Sequence, residues 1–133
     1  MWTVRNSVGK LVEARLSTVN AEALTECLAA IAQAVAAIHQ PVVGVFDLAR
    51  VRVLGREEAD LLVNVMRGDN PRVERTAIIV RGDALLEMQM DRLVRAAAMP
   101  RRQVFRFNQD ALVWLSECLS ATELARARAF LHE

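Results

Sequence analysis

The stretch VVGVFDLARVRVLGREEADLL, Val42 to Leu62, decides the fold. It opens on a nearly continuous apolar run with β-branched residues on both sides of the alternation. A strand with one wet face would alternate apolar and polar residues, so this run reads as a strand buried on both faces, inside a largely parallel sheet. The run ends on one carboxylate, Asp47, and passes through Arg50, Val51 and Arg52. From about Arg56, Leu61, Leu62, Val65 and Met66 then recur at helical spacing. In open α/β sheets the crevice beyond the strand ends is where ligands sit, which makes Asp47 and the loop behind it the first candidates for function.

The pattern extends in both directions. TAIIV (Thr76 to Val80) predicts a second interior strand and QVFRF (Gln103 to Phe107) a further one. Between them Asp83 caps a helix with the stripe Leu86, Met90, Leu93, Val94 and Ala97, closed by Met99-Pro100. Upstream, Asn20 caps a helix of about five turns carrying Leu24, Cys27, Leu28, Ile31, Val35 and Ile38, ended near Pro41. Before it, Trp2, Val4 and Val8 alternate with polar residues, Gly9-Lys10 turns the chain, and LVEARLS pairs back. At the C-terminal end Asn108 is a cap for Ala111, Leu112, Leu115 and Leu119. Ser120 to Glu123 forms a capping box for a last helix with Leu124, Ala127 and Leu131 inward. The order is β-β-α-β-α-β-α-β-α-α. It predicts one α/β domain over 1–133, with a single mixed, mostly parallel five-stranded sheet and helices packed against it.

Composition narrows the function classes. The 133 residues are 53% hydrophobic and 25% charged, which suits a globular chain and not a disordered one. A net charge of +1 supplies no general attraction to nucleic acid or anionic membranes. Cys27 and Cys118 fall in helical patterns without metal-like spacing, as buried free thiols of a reducing compartment would. No signal-peptide pattern opens the chain, and LAAIAQAVAAI is short and Ala-rich for a membrane span, so a cytoplasmic protein without a membrane span is expected. No G-x-S-x-G, P-loop or G-x-G-x-x-G occurs, and His39 and His132 have no ligand-spaced partners. The expectation is a non-enzyme with no cofactor, no metal and no nucleic-acid partner.

The element order, together with VFDLARV ending the third strand, resembles the STAS superfamily, the anti-sigma-factor-antagonist fold. RVERTAIIV, the helix ending near Pro100, FRF and the closing ALVWL helix resemble small bacterial proteins of unknown function grouped with that fold and with SEC14-type domains. The resemblance covers nearly the whole chain through hydrophobic patterns, and it implies fold more than function. It also implies a Ser or Thr after the strand-end Asp, at a helix N-terminus, where a kinase partner adds a phosphate. Asp47 stands at the Asp position. The acceptor position falls around Leu54-Gly55-Arg56, where neither the loop nor the start of the helix has a hydroxyl residue.

Two readings of the candidate residues stay open. Asp47, Arg50, Arg52, Arg56 and Glu57 are a partner-binding loop, or Asp47 is a turn cap and the rest a solvated mixed-charge loop with Glu57 favouring the helix dipole. On the third helix Leu85, Met88 and Met90 form an apolar ligand or docking face, or that helix is simply buried on a wide arc. Phe105 and Phe107 are expected to share the inner face of their strand with Arg106 outward, which argues against base stacking. The edge of the N-terminal hairpin offers a route to a homodimer. The expected function is a regulatory protein-protein interaction module. The alternative is a SEC14-like carrier of a small apolar ligand or lipid, with the Met-rich third helix as a lid over a pocket of several hundred Å³ by the usual size range.

Overall fold

The apolar run at Val42 is the middle strand of the sheet. The computed structural model describes residues 1–17, 20–81, 83–98 and 100–133. In chain order the elements are β1 (Trp2–Arg5), β2 (Leu11–Leu16), α1 (Ala21–Ala37), β3 (Val42–Asp47), α2 (Arg56–Asp69), a 3-10 turn (Asn70–Arg72), β4 (Val73–Ile79), α3 (Ala84–Ala96), β5 (Arg102–Phe105), α4 (Asn108–Leu115) and α5 (Ala121–Leu131). The five strands form one mixed sheet in the order β1-β2-β3-β4-β5. Only β1 and β2 run antiparallel; the other pairs are parallel. This is the α/β class and element order that the sequence predicts.

The sheet order dictates the layers. From β2 onward each parallel crossover moves one place in the same direction. Right-handed connections therefore stack α1, α2 and α3 on one face. The core on that face joins Leu24, Cys27 and Leu28 of α1, Leu62 and Met66 of α2, and Leu86 and Met90 of α3 to Ala14, Phe46 and Ile78 of the strands. The opposite face would be bare without the C-terminal helices. There Ala111, Leu112 and Leu115 of α4, with Ala127, Phe130 and Leu131 of α5, cover Leu11, Val43, Val45, Ala77 and Ile79. Burial of β3 on both faces follows from this arrangement.

The helix ends match the capping chemistry in most places. Asn20 accepts from Ala23 N–H, Asp83 from Leu85 and Leu86 N–H, and Ser120 with Glu123 closes the capping box. Arginines finish the other ends: Arg67 donates to Ala96 O at the C-terminus of α3, and Arg72 to Val35 O and Ile38 O at that of α1. Glu123 does more than cap. Its carboxylate also accepts from Lys10 N–H in the β1–β2 turn, where Gly9 has φ +52°. A Cβ on Gly9 would stand 2.1 Å from Glu123 Oε2, so the turn needs glycine for its conformation and for the close approach.

Four local expectations are corrected. Val8 belongs to the turn and β1 stops at Arg5. Asn108 does not cap α4. It is the first helical residue, with Phe107 at the cap position; its Nδ2 donates to Leu131 O, and its buried Oδ1 has no partner among the described residues. β5 ends at Phe105, so Phe107 turns outward, 64% exposed, instead of sharing the inner face. Phe130, absent from the expected α5 stripe, is fully buried. Met99 lies outside the described residues. Among those described, no helix is long and apolar enough to cross a membrane.

Candidate interaction surface

Asp47 ends β3 on the side of Val43 and Val45, facing α4 and α5, because side chains alternate along a strand. Its cross-strand neighbour on β2 is Arg15. Arg15 Nε donates to Asp47 Oδ2 at 2.9 Å, and Ala49 N–H donates to Oδ1 at 2.9 Å. The same guanidinium lies 4.4 Å over the Phe130 ring and donates to Phe130 O at 2.8 Å. Asp47 is only 4% exposed. Its first role is therefore structural: it caps the turn after β3 and ties that turn to β2 and α5. The reading of Asp47 as a partner contact is corrected on this geometry.

The Arg15–Asp47 pair belongs to a larger ionic strip that sequence reasoning missed. On β2 the side chains facing α5 are Leu11, Glu13 and Arg15. The Glu13 side chain is fully buried and receives both Nε (2.6 Å) and one Nη (3.1 Å) of Arg126 from α5. Its cross-strand partner Arg5 lies 3.6 Å away, and Glu133 bridges Arg5 and Arg126 at 2.5 and 3.1 Å. The hydrogen bonds from Arg5 and Arg126 hold Glu133 below the usual carboxylate range. In the sequence, the signal was the polar alternation within LVEARL, which gives the α5-facing side of β2 two opposite charges two residues apart.

The loop between β3 and α2 is fixed from below. Leu48, Val51 and Leu54 are buried at 1%, 4% and 4% exposure, and Val51 N–H closes a turn on Leu48 O at 3.0 Å. The side-chain amide of Gln89 on α3 pairs with Leu54 as a strand would. Leu54 N–H donates to Gln89 Oε1 at 2.9 Å, and Gln89 Nε2 donates to Leu54 O at 3.0 Å. The remaining positions point outward. Arg50, Arg52, Val53, Arg56 and Glu57 are exposed. Among the described residues, Arg50, Arg52 and Arg56 make no ion pair. Gly55 caps α2 without a side-chain bond, and no hydroxyl occurs there.

The Gln89 clamp brings this loop against α3. Leu85 and Met88, three residues apart on one face, are 54% and 53% exposed, and Val53 beside the clamped Leu54 is 47% exposed. Arg92 continues that face one turn on. Met90 does not belong to it: it is fully buried in the core under α3, because it falls on the Leu86 side of the helix. The docking face predicted from the sequence is therefore Leu85 and Met88 without Met90. Around the N-terminus of α3, Arg81, Asp83, Ala84, Arg106 and exposed Phe107 line a shallow groove, with Arg106 paired to Glu87. The loop and α3 thus gather exposed apolar groups among unpaired arginines. Phe105, by contrast, packs against Trp114 with ring centroids 5.4 Å apart and is committed to the interior.

A cavity of about 80 Å³ lies on the crossover-helix face, between the sheet and α1 and α2. Neither Leu85, Met88 nor Met90 lines it. Its volume is well below the several hundred Å³ expected for a lipid carrier, and α3 is not its lid.

Among the described residues no group of three or more His, Cys, Asp or Glu side chains is placed to hold a metal. Cys27 and Cys118 are free thiols, and burial pushes the Cys27 thiol up to about 11, away from reactivity at neutral pH. Comparison with family models, with curated proteins and with solved structures finds no match to this chain.

Proposed function

We propose that this chain is a non-enzymatic, cytoplasmic regulatory module with a STAS-like fold that binds a protein partner through the Arg50–Glu57 loop and the Leu85–Met88 face of α3. The observation that carries the reading is the construction of the loop. Buried Leu48, Val51 and Leu54 and the two-way Gln89 clamp hold its backbone, while its outward positions go to Arg50, Arg52, Val53 and Arg56. A loop ordered before contact loses little further freedom on binding, which favours affinity. Its chemistry fits an acidic partner segment with one or two apolar anchors: unpaired guanidinium groups steer and orient it, and Val53, Leu85 and Met88 receive the anchors.

The STAS assignment is part of the proposal and rests on the β-β-α-β-α-β-α-β-α-α order and on the strand-end Asp followed by this loop. With Gly55 and Arg56 at the helix start, the module has no phosphoacceptor at that place, so its engagement is constitutive or controlled by the partner. Charge reversal at Arg52→Glu with Arg56→Glu tests it by affinity capture from lysate of the source organism. A partner captured by the wild type should be lost by the double variant, with the thermal midpoint essentially unchanged because both side chains are exposed. Unaltered capture by a folded variant would reject this surface.

A further inference from the structure

β1 is an edge of the sheet, and among the described residues it pairs only with β2. Ser17 N–H donates to Met1 O at 3.1 Å, in the register that sets Trp2 against Leu16 and Thr3 against Arg15. In an antiparallel pair every second residue exchanges both backbone bonds with its neighbour, so Met1, Thr3 and Arg5 turn theirs toward β2. The N–H and C=O groups of Trp2 and Val4 therefore point away from the sheet. Natural edges are commonly blunted by proline, lysine or a bulge, and β1 has none of these. Its one charged residue, Arg5, is drawn to Glu13 and Glu133 of its own chain at 3.6 and 2.5 Å.

The helix beside this edge continues it. Strand alternation sends Trp2 and Val4 to the α1 side, where they pack against the core, and leaves Thr3 exposed on the other face. Val4 shares a cluster with Ile31 and Ala34 of α1. The flank of α1 over β1 is therefore the one that carries Ala23, Ala30 and Ala34, all half-buried and spaced to fall on one side of the helix. From Cys27 to Ile38 α1 has no charged residue.

We infer that this edge is the interface with a second copy of the chain, joined β1 to β1, antiparallel, about a two-fold axis through Thr3. In that register Trp2 of each copy stands opposite Val4 of the other, so each outward N–H meets an outward carbonyl and the two sheets become one. Thr3 meets its own counterpart as a closely spaced pair, about 4.5 Å between Cα atoms, within reach of a hydroxyl hydrogen bond. The helices fit as well. α1 lies over β1 and β2 alike. At about 4.8 Å between strands, that places the two α1 axes about 10 Å apart, the upper end of ordinary helix packing, and alanine flanks let them close further. Charge selects the occupant. A charged partner finds no counter-charge here, whereas a second copy brings the matching row of donors and acceptors and, with Arg5 already paired, no like charge. The covered strip, about 25 Å of α1 with β1 beside it, comes to on the order of 1,000 Å² over both copies. That is the lower limit for a specific interface, so a micromolar dimer is expected. The Arg50–Glu57 loop and α3 lie toward the far edge of the sheet, so the dimer leaves them free and does not rest on the function proposed for them.

Sedimentation equilibrium of the full chain across the micromolar range tests the assignment. The wild type should pass reversibly from monomer to dimer. Thr3→Lys, at an exposed position, sets like charges directly opposite each other on the axis and should weaken the dimer by at least about fivefold with the thermal midpoint of the monomer kept. Thr3→Glu alone should do the same, and an equimolar mixture of the two variants should recover dimer, because only a contact of residue 3 with itself turns repulsion into attraction on mixing. Ala30→Glu, on the helix flank, should also weaken the dimer, and it reads the interface independently should a Thr3 variant fail to fold. A wild type that stays monomeric at the highest concentration would overturn the proposal. So would a dimer indifferent to the folded variants, or a Lys and Glu mixture that associates no better than either variant alone.

Discussion

Replacing Asp47 separates a structural carboxylate from a partner-binding one, because the two roles predict opposite outcomes. Asp47→Ala removes the charge-assisted bond to Arg15 Nε, about 1.5–3 kcal/mol, and the acceptor of Ala49 N–H, about 1 kcal/mol. Arg15 keeps Phe130 O and the Glu133 carboxylate 3.7 Å from its Nη1, and its side chain is 24% exposed, so the cation is left neither unpaired nor dry. The loss therefore falls at the low end of the 3–5 kcal/mol typical of a broken, fully buried pair, and about 3 kcal/mol is expected. With an unfolding entropy of about 2.1 cal/mol/K per residue, 133 residues give roughly 0.28 kcal/mol/K, so the thermal midpoint should fall by about 10 °C. Asp47→Asn keeps an acceptor for Ala49 and loses only the charge, for about half that fall. Calorimetry on the two variants, with Arg15→Ala completing a double-mutant cycle, reads the effect directly, and a coupling energy of at least about 1 kcal/mol is expected. A midpoint for Asp47→Ala within about 1 °C of wild type would refute the reasoning, and with lost partner capture it would return Asp47 to the contact surface.

Other perturbations probe the rest of the scaffold. Burial raises the Glu123 carboxyl, but bonds from Ser120 and Lys10 outweigh it and leave it below the usual range. Its contribution is thus present above the unfolded carboxylate pKa and lost as pH falls through the depressed folded value. Glu123→Gln should lower midpoint stability at neutral pH by about 1 kcal/mol and flatten the acid limb of a stability-against-pH curve. Gly9→Ala forces a Cβ against Glu123 at φ +52° and should destabilise by about 1–3 kcal/mol in urea titration; a Glu123→Ala background relieves only the close contact, so the backbone share of the loss should persist there. Met90→Ala should cost about 2–5 kcal/mol as a core truncation, whereas Leu85→Gln and Met88→Gln should stay within about 0.5 kcal/mol of wild type by the same titration.

Much of the architecture was legible because it rests on periodicity. The apolar run at Val42, the stripes of α1 and α3, and the caps Asn20, Asp83 and Ser120 are local signals, and local signals survive folding. Errors arose where tertiary contacts decide. Phe107 follows strand alternation in the sequence, yet β5 ends two residues earlier and the chain bends toward α4. Asn108 looks like a cap, but Leu131 of another helix claims its amide. The surface was half legible: Arg50, Arg52, Arg56, Glu57, Leu85 and Met88 are exposed as expected, while Asp47 and Met90 point inward. Asp47 turned inward because Arg15, 32 residues away, lies beside it on β2, and no local pattern announces such a pair. Glu13–Arg126 is hidden for the same reason. Buried charge is found by knowing which strands adjoin, and that is a property of topology.

The central claim, that the protein meets its partner across the loop and α3, is tested most directly by site-specific photocrosslinking in cells of the source organism. A photoreactive residue is placed in turn at Val53, Met88 and Val113. Val113 is a fair control, since it is 57% exposed and lies on α4, on the opposite side of the sheet. The account predicts one common adduct from Val53 and Met88 and none from Val113. An adduct from Val113 alone, or the same product from all three positions, would contradict it.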